Sequence, residues 1–335
     1  MTDDFQSKRK LQQVGSSTLA VTLPVEWAQK QGLEKGDKVV LQRDEIAGSL
    51  LLVPEQPNKE SYKGIVSTSD CTTEELKQRL IAQYILGRHL ISVQTTNNIN
   101  QSILETVFQL EQRLMGFGVV EQDEKEIVIR CSVAPDEFDL HKLLSRIAHL
   151  EKTTRNHVVN IIINGIETIS KSSKTRIDRA EQQVWKLFCL FLRLLHTIYR
   201  NPQLNQSVGI SSGLPLLGYR SVVQDFFLMT EHSHRLTELL QSGQWSGIND
   251  THLSEAVNDF NELISDTLDE MAKSTRINMQ KVQQQINAMD ETLRSVQQSR
   301  DTHSDIFIIS YYFKQLISHI SQIQLFNMQL LFRNG

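Results

Sequence analysis

Residues 8–54 contain short strand candidates in a segment that is too small to bury a core of its own. Leu19, Val21 and Leu23 fall on alternate positions, which predicts a strand with one buried face. No cysteine lies in the segment, so a disulfide cannot compensate for the missing core. We therefore expect a second copy of the chain to interleave its strands with the first under two-fold symmetry.

The rest of this segment predicts a short helix and a hairpin. Proline is tolerated in the first turn of a helix, so residues 24–31 predict about two helical turns. Residues 39–42 and 50–53 then predict two strands joined by a polar loop. The loop contains Gly48, which can adopt a positive φ.

The order of these elements resembles the AbrB/SpoVT swapped-hairpin DNA-binding domain. The resemblance rests on a strand, Gly15, a second strand, the Val-Thr-Leu-Pro run, the short helix, a Gly-Asp turn and the hairpin. It implies a homodimer that binds DNA with residues of its first hairpin. The candidate DNA-binding residues are Lys8, Arg9, Lys10, Ser16, Ser17 and Thr18. Ser17 and Thr18 stand where bacterial members often carry Gly-Arg.

The charge of the segment by itself is open to two interpretations. Residues 8–54 contain seven Lys or Arg and five Asp or Glu, a net charge of only +2. Lys8, Arg9 and Lys10 would pair with DNA phosphates, and dimerisation would double their number. Alternatively, the three charges solvate an edge strand and prevent aggregation. The family resemblance favours DNA binding.

Composition places the chain among ordinary globular proteins of two or three domains. It has 335 residues, of which 39% are hydrophobic and 22% charged. The net charge of −4 argues against a protein that coats nucleic acid generally, so any DNA contact must be local. Six prolines and fifteen glycines are few, as expected of a mainly α chain.

The cysteines and the apolar segments indicate a cytoplasmic protein. Cys71, Cys131 and Cys189 are odd in number and far apart, which favours buried thiols over a disulfide framework or a zinc site. The N-terminus lacks the apolar stretch of a signal peptide. Polar residues interrupt the apolar-rich stretch 306–332, which predicts a core helix and no membrane insertion.

A small mixed unit follows the N-terminal segment. We expect an AbrB/SpoVT-like domain at 1–57, a polar linker at 58–70, an α/β unit at 71–135 and a helical domain at 136–335. The α/β unit predicts a helix, a strand, a second helix and a hairpin, at residues 73–87, 89–95, 100–115, 117–121 and 126–130. It has no glycine-rich phosphate loop and no clustered acids, so we expect a structural or sensing role.

Residues 138–332 predict six long helices, with breaks near 165–174, 201–218, 243–250, 274 and 301. The break at 243–250 separates them into two groups of three, which suggests an internal repeat. This part resembles the PhoU family of phosphate-uptake regulators, whose bundles contain two three-helix repeats. The motifs are DRAEQQVWKL at 178–187, MTEHSHRLTE at 229–238 and LISHI at 316–320. The whole order of domains is similar to archaeal PhoU-like regulators.

The resemblance also raises the question of a metal site. Metal-binding relatives carry an acidic pair at positions i and i+4 of a helix. Here Glu181 has Trp185 at the i+4 position, and Ser318 stands where a further acid is expected. Glu231, His232 and Glu238 remain, and such a helix face is usually solvated surface. We therefore expect no metal and no other cofactor.

These features favour a DNA-binding transcriptional regulator of phosphate uptake that acts as a homodimer. No H-E-x-x-H, C-x-x-C, G-x-S-x-G or phosphate-loop motif is present, so we do not expect an enzyme. The alternative is an interaction protein that does not bind DNA. In that case the helical bundle would dock on a phosphate-transporter ATPase or a sensor kinase, and the hairpin domain would only dimerise the chain.

Overall fold

The computed structural model describes residues 8–44, 48–55, 63–69, 71–168, 171–201, 204, 208, 215–248, 251–272, 279–298 and 304–333. The chain divides into two compact units, Met1–Lys63 and Gly64–Gly335. It is mainly helical, with a small β region in the first unit and a bundle of helices in the second. The predicted fold class is confirmed at this level.

The first unit contains two antiparallel hairpins and one short helix. Its elements are β1 (Gln12–Val14), β2 (Thr18–Ala20), α1 (Val25–Lys30), β3 (Val39–Asp44) and β4 (Ser49–Pro54). β1 pairs with β2, and β3 pairs with β4. Gly15, with φ of 72°, lies at the turn between β1 and β2, where a residue with a Cβ would be strained. The predicted strand, helix and hairpin are confirmed near their expected bounds.

No described side chain of the first unit is buried. Large apolar side chains are instead open to solvent in the single chain, and Leu19 and Leu50 are 65% and 60% exposed. The face that Leu19, Val21 and Leu23 were predicted to bury is therefore uncovered within one copy. Other exposed apolar side chains of the unit are Leu11, Val14, Val25, Leu41 and Leu51. The described part of this unit thus lacks a hydrophobic core.

The second unit begins with a four-stranded sheet and two helices. Its elements are β5 (Lys63–Ser67), α2 (Thr73–Ile85), β6 (Leu90–Gln94), α3 (Gln101–Arg113), β7 (Phe117–Gln122) and β8 (Glu126–Cys131). The strand order is β5-β6-β8-β7, and β8 is antiparallel to both of its neighbours. Thr72 caps α2 through a capping box with Glu75, and Asn100 caps α3.

The strand β5 lies within residues 58–70, which the sequence analysis assigned to a linker. Gly64 and Val66 are buried while Lys63, Ile65 and Ser67 are exposed, the alternation of a strand with one covered face. Pairing with β6 produces this strand, and the polar composition around it conceals the alternation in the sequence. Residues 58–62 and 70 of the expected linker lie outside the described part of the chain.

The sheet and its two helices share a core, and this core continues onto the bundle. α2, α3 and the inward sheet positions bury Val66, Leu76, Leu80, Tyr84, Ile91, Val93, Val107, Leu110, Leu114, Ile127 and Ile129. Cys189 of the bundle is buried in the same cluster. Arg193 donates from Nη1 to the backbone oxygen of Tyr84 at 2.7 Å, and its guanidinium lies 4.9 Å from the Tyr84 ring. The α/β unit is therefore fixed to the helical domain.

Six helices follow in the described part of the chain. They are α4 (Leu140–Asn164), α5 (Lys171–Arg200), α6 (Pro215–Ser242), α7 (Thr251–Ala272), α8 (Met279–Gln298) and α9 (Ser304–Arg333). The six predicted helices are confirmed. The expected breaks near 274 and 301 fall outside the described residues. Among the described residues, no helix is both long enough and apolar enough to cross a bilayer.

The helix α6 packs against α4, α5 and α9. α4 also packs against α5 and α7, and α8 joins α7 to α9. Three contacts between α6 and α9 occur in opposite order along the two helices. They join Gly218 to Phe326, Asp225 to His319, and Ser233 to Tyr312. α6 and α9 are therefore antiparallel.

A fully buried ion pair within α4 is hydrogen-bonded to α7. Glu151 and Arg155 are both 0% exposed, and Arg155 Nε donates to Glu151 Oε1 at 2.8 Å. The Arg155 guanidinium also donates to the backbone oxygen of Asn261 at 2.9 Å, to the side-chain oxygen of Asn261, and to Ser265 Oγ at 3.4 Å. Its donors are thus satisfied, as a charge buried this deeply requires.

Candidate nucleic-acid interface

The six predicted DNA-binding residues are all exposed on or beside the first hairpin. Lys8, Arg9 and Lys10 form a basic cluster that precedes β1. Ser16 and Ser17 lie in the turn, and Thr18 begins β2 opposite Val14. Because these residues are exposed, the cations of Lys8, Arg9 and Lys10 and the hydroxyls of Ser16, Ser17 and Thr18 are available to a ligand.

The hairpin separates these residues into two groups. Because β1 and β2 are antiparallel, the basic cluster lies beyond the open end of the hairpin, while Ser16, Ser17 and Thr18 lie at its closed end. The five residue steps from Lys10 to Gly15 span about 17 Å at the rise of a strand. Phosphate contacts by the cluster and contacts by the turn would therefore fall on different parts of a DNA site.

Residues 8–54 contain four further exposed cations outside the predicted DNA-binding set. They are Lys30, Lys35, Lys38 and Arg43. Lys38 directly precedes β3, and Arg43 lies within it, so the second hairpin carries positive charge as well. Composition reports these charges, but only the backbone pairing shows which of them share a hairpin.

The helix positions compared with the PhoU family do not converge on a metal site. Trp185, which stands where an acid is expected, lies under the Arg113 guanidinium with 4.3 Å between them. Glu231 pairs with Arg235 at 2.5 Å, while Glu238 and Ser318 are exposed. Among the described residues, no group of three or more metal-binding side chains is positioned to hold an ion.

A buried polar pair between α6 and α9 was not selected from the sequence. His319 Nδ1 lies 2.9 Å from Asp225 Oδ1, and both residues are less than a tenth exposed. The His232 ring lies 5.4 Å from the His319 ring and is half-buried. Burial, and secondarily the charge of His319, lowers the pKa of His232. The only signal in the sequence was the loose acid-His motif.

Two of the three thiols are inert because of their environment. All three cysteines are free, and Cys131 and Cys189 are buried. Burial raises the pKa of Cys131 to about 11 and that of Cys189 to about 12. Thiols of this kind are poor nucleophiles and poor metal ligands near neutral pH.

The α/β unit contains a polar pocket of about 490 Å³ where β5 and β6 end. Its lining includes the loops after both strands and the first residues of α2 and α3: Thr68, Ser69, Cys71, Thr72, Thr73, Leu76, Thr95, Thr96, Asn97, Asn98, Asn100, Ser102 and Ile103. None of these described lining residues is charged. The pocket therefore offers hydroxyl and amide groups, without the cationic side chains that usually hold phosphate.

One comparison with known proteins matches the first unit. Residues 12–60 match the family model described as antidote-toxin recognition MazE, bacterial antitoxin. This match supports the predicted swapped-hairpin domain, because it covers both hairpins and α1. The comparison with curated proteins found no match. The comparison with solved structures found none either.

Proposed function

We propose that this protein is a DNA-binding transcriptional regulator that acts as a homodimer through its first unit. The observation that carries the proposal is the absence of any buried side chain among the described residues of that unit. Two hairpins with exposed Leu19, Leu41 and Leu50 are stable only if another surface covers them. The match to the MazE family over residues 12–60 favours a second copy as that surface.

The DNA-binding part of the proposal rests on charge and position. Lys8, Arg9 and Lys10 are exposed in each copy, so a dimer presents six cations beside its paired hairpins. Each phosphate contact releases counterions, and log K falls with log salt concentration by about 0.9 per contact. Six contacts would therefore contribute a slope of about −5.

A mobility-shift titration tests this function. The probes are DNA from upstream of the chain's own gene and from phosphate-transport promoters, each measured at several salt concentrations. Lys8→Gln, Arg9→Gln and Lys10→Gln together should weaken binding at least tenfold and flatten the salt slope by up to about five. The matched control neutralises three exposed cations of the second unit, Lys125, Lys142 and Arg146. Equal affinity of both variants would reject the proposed interface.

The regulatory target of the proposal is phosphate uptake. Its support is the resemblance of the helical domain to PhoU, together with the packing of its helices. The first helices of the two predicted groups, α4 and α7, touch each other, and so do the third helices, α6 and α9. Such pairing is expected of two related three-helix repeats. Loss of the gene should change phosphate-transporter transcripts, whereas unchanged transcripts at both high and low phosphate would reject this target.

The second candidate is an interaction protein without DNA binding or catalysis. It is favoured by the low net positive charge of residues 8–54 and by the matched family, whose description concerns recognition of a toxin protein. In this case the bundle docks on a phosphate-transporter ATPase or a sensor kinase. Purification from the native cytoplasm discriminates the two, since a protein partner without bound DNA supports the second candidate.

A further inference from the structure

The four-stranded sheet has one covered face and one open face. α2 and α3 cover the inner face, where Val66, Ile91 and Ile129 are buried. On the open face Ile65 is 66% exposed, and Gln94 and Arg130 are exposed as well. The outward positions of the two central strands are Leu90, Ser92 and Gln94 on β6, and Glu126, Val128 and Arg130 on β8.

Opposite charges flank an apolar residue in the middle of this open face. Glu126, Val128 and Arg130 alternate along β8, so each charge lies about 7 Å from Val128, on either side. Hydrogen bonds from Ser92 and Gln94 to Glu126 lower the pKa of its carboxyl and keep it ionised at neutral pH. The Arg130 guanidinium has no ion-pair partner within the described part of the chain.

This arrangement is self-complementary under two-fold symmetry. Consider a two-fold axis that lies between the two sheets and crosses the strands at the level of Val128. It places each Val128 against its counterpart and exchanges the two ends of β8. Glu126 then faces the partner's Arg130, and Arg130 faces the partner's Glu126. Leu90 lies directly opposite Arg130 in the register and adds apolar surface at the edge of the contact.

We propose that the open faces of the two sheets pack against each other in the dimer, around a two-fold axis through Val128. This inference rests on the proposed function, because the dimer is formed by the first unit. Four strands of about five residues cover roughly 300 Å² per copy, too little for a stable interface between free domains. The first unit supplies the missing affinity by holding the copies together.

The length of chain between β4 and β5 fits this requirement. The eight residue steps from Glu55 to Lys63 reach at most about 29 Å. Because the first unit holds the two copies together, the second contact has an effective concentration in the millimolar range. A small interface with two symmetric ion pairs then forms within the dimer while staying too weak to assemble dimers into larger species.

Crosslinking of the full chain tests the packing. Val128→Cys is made in a chain carrying Cys71→Ser, since Cys131 and Cys189 are buried. Facing sheets lie about 10 Å apart, so the reagent is a short bismaleimide. The inference predicts efficient crosslinking between copies. The matched control is Glu105→Cys, an exposed position on α3 on the other side of the sheet, and it should crosslink at least fivefold less.

Charge reversal provides the decisive comparison. Arg130→Glu alone and Glu126→Arg alone place like charges opposite each other and should lower the Val128→Cys yield at least threefold. Both changes together exchange the signs and should restore it, which loss of local structure would not do. Failure of the double change to restore the yield, or a dimer whose Val128→Cys does not crosslink, overturns this inference alone. A monomeric chain, measured by mass photometry in parallel, overturns the proposed function as well.

Discussion

At the residue scale, the bundle depends on one buried charge whose partners come from two helices. We expect Arg155 to be important for stability because its removal leaves Glu151 fully buried without a counter-charge. Arg155→Met should lower the free energy of unfolding by about 3–5 kcal/mol in urea titrations. The neighbouring Lys152 pairs with Asp269 at the surface, so Lys152→Met should cost about 1 kcal/mol or less. Equal losses for the two variants would contradict the assignment.

His232 predicts a pH dependence of the packing between α6 and α9. Its pKa is lowered in the folded protein, so the folded state binds this proton less readily than the unfolded state. Its contribution to stability is therefore complete above the unfolded pKa of about 6.5 and is lost as the pH falls from that value through the lower pKa of the folded state. Relative to wild type, His232→Asn should lose less stability between pH 7.5 and pH 5.5. The side chain is half in solvent, so the difference should be about 1 kcal/mol or less.

The range between pH 7.5 and pH 8.5 provides the internal control for this measurement. In this range residue 232 is neutral in both the wild type and the variant. The free energies of unfolding of the two proteins should therefore change with pH in the same way. Parallel curves down to pH 5.5 would show that the pKa of His232 is the same in the folded and unfolded chains, which would contradict the lowered pKa.

At the scale of elements, close approach of α6 and α9 depends on the absence of a side chain at Gly218. A Cβ at this position would overlap the Phe326 ring. Gly218→Ala should destabilise the chain by about 1–3 kcal/mol, despite the higher helix propensity of alanine. Ser221→Ala, at an exposed position of α6, should change stability by about 0.5 kcal/mol at most. Thermal unfolding distinguishes the two, and equal midpoints would place Phe326 away from α6.

The helices were predictable because their apolar residues recur with a period that only a helix satisfies. Val184, Phe191 and Leu195 of α5 are all buried, as their spacing indicates. β5 was missed because strand formation there depends on pairing with β6, which lies 23 residues further along the chain. The pairs Arg155 with Asn261 and Asp225 with His319 join residues about a hundred positions apart. No local pattern predicts such contacts.

The sequence was enough to select residues for the candidate DNA interface, but not to show how these residues are arranged. The sequence identifies Lys8, Arg9 and Lys10 as a local excess of positive charge. It does not reveal that they lie at the end of the hairpin opposite Ser16 and Ser17, since that depends on the register of β1 with β2. The sequence likewise shows the charges of Lys38 and Arg43, but not that both residues lie at the second hairpin.

At the scale of the whole molecule, the uncovered first unit predicts that dimerisation and folding of this unit are coupled. Leu50 is 60% exposed in the single chain, and a polar substitution there should be harmless if the chain works alone. Leu50→Asp should instead dissociate the dimer and abolish DNA binding, because it buries a charge in the interface. Leu239→Asp, at a helix position that is 50% exposed, should leave the dimer intact. Sedimentation velocity of both variants separates these outcomes.

The most direct test of the central claim is the mass of the full chain in dilute solution. One copy has a mass of 38.4 kDa. Mass photometry at nanomolar concentration, supported by sedimentation equilibrium at micromolar concentration, should show a species of twice that mass. A single species of 38.4 kDa across this range, with an N-terminal segment protected from protease, would contradict the claim that two copies build the first unit together.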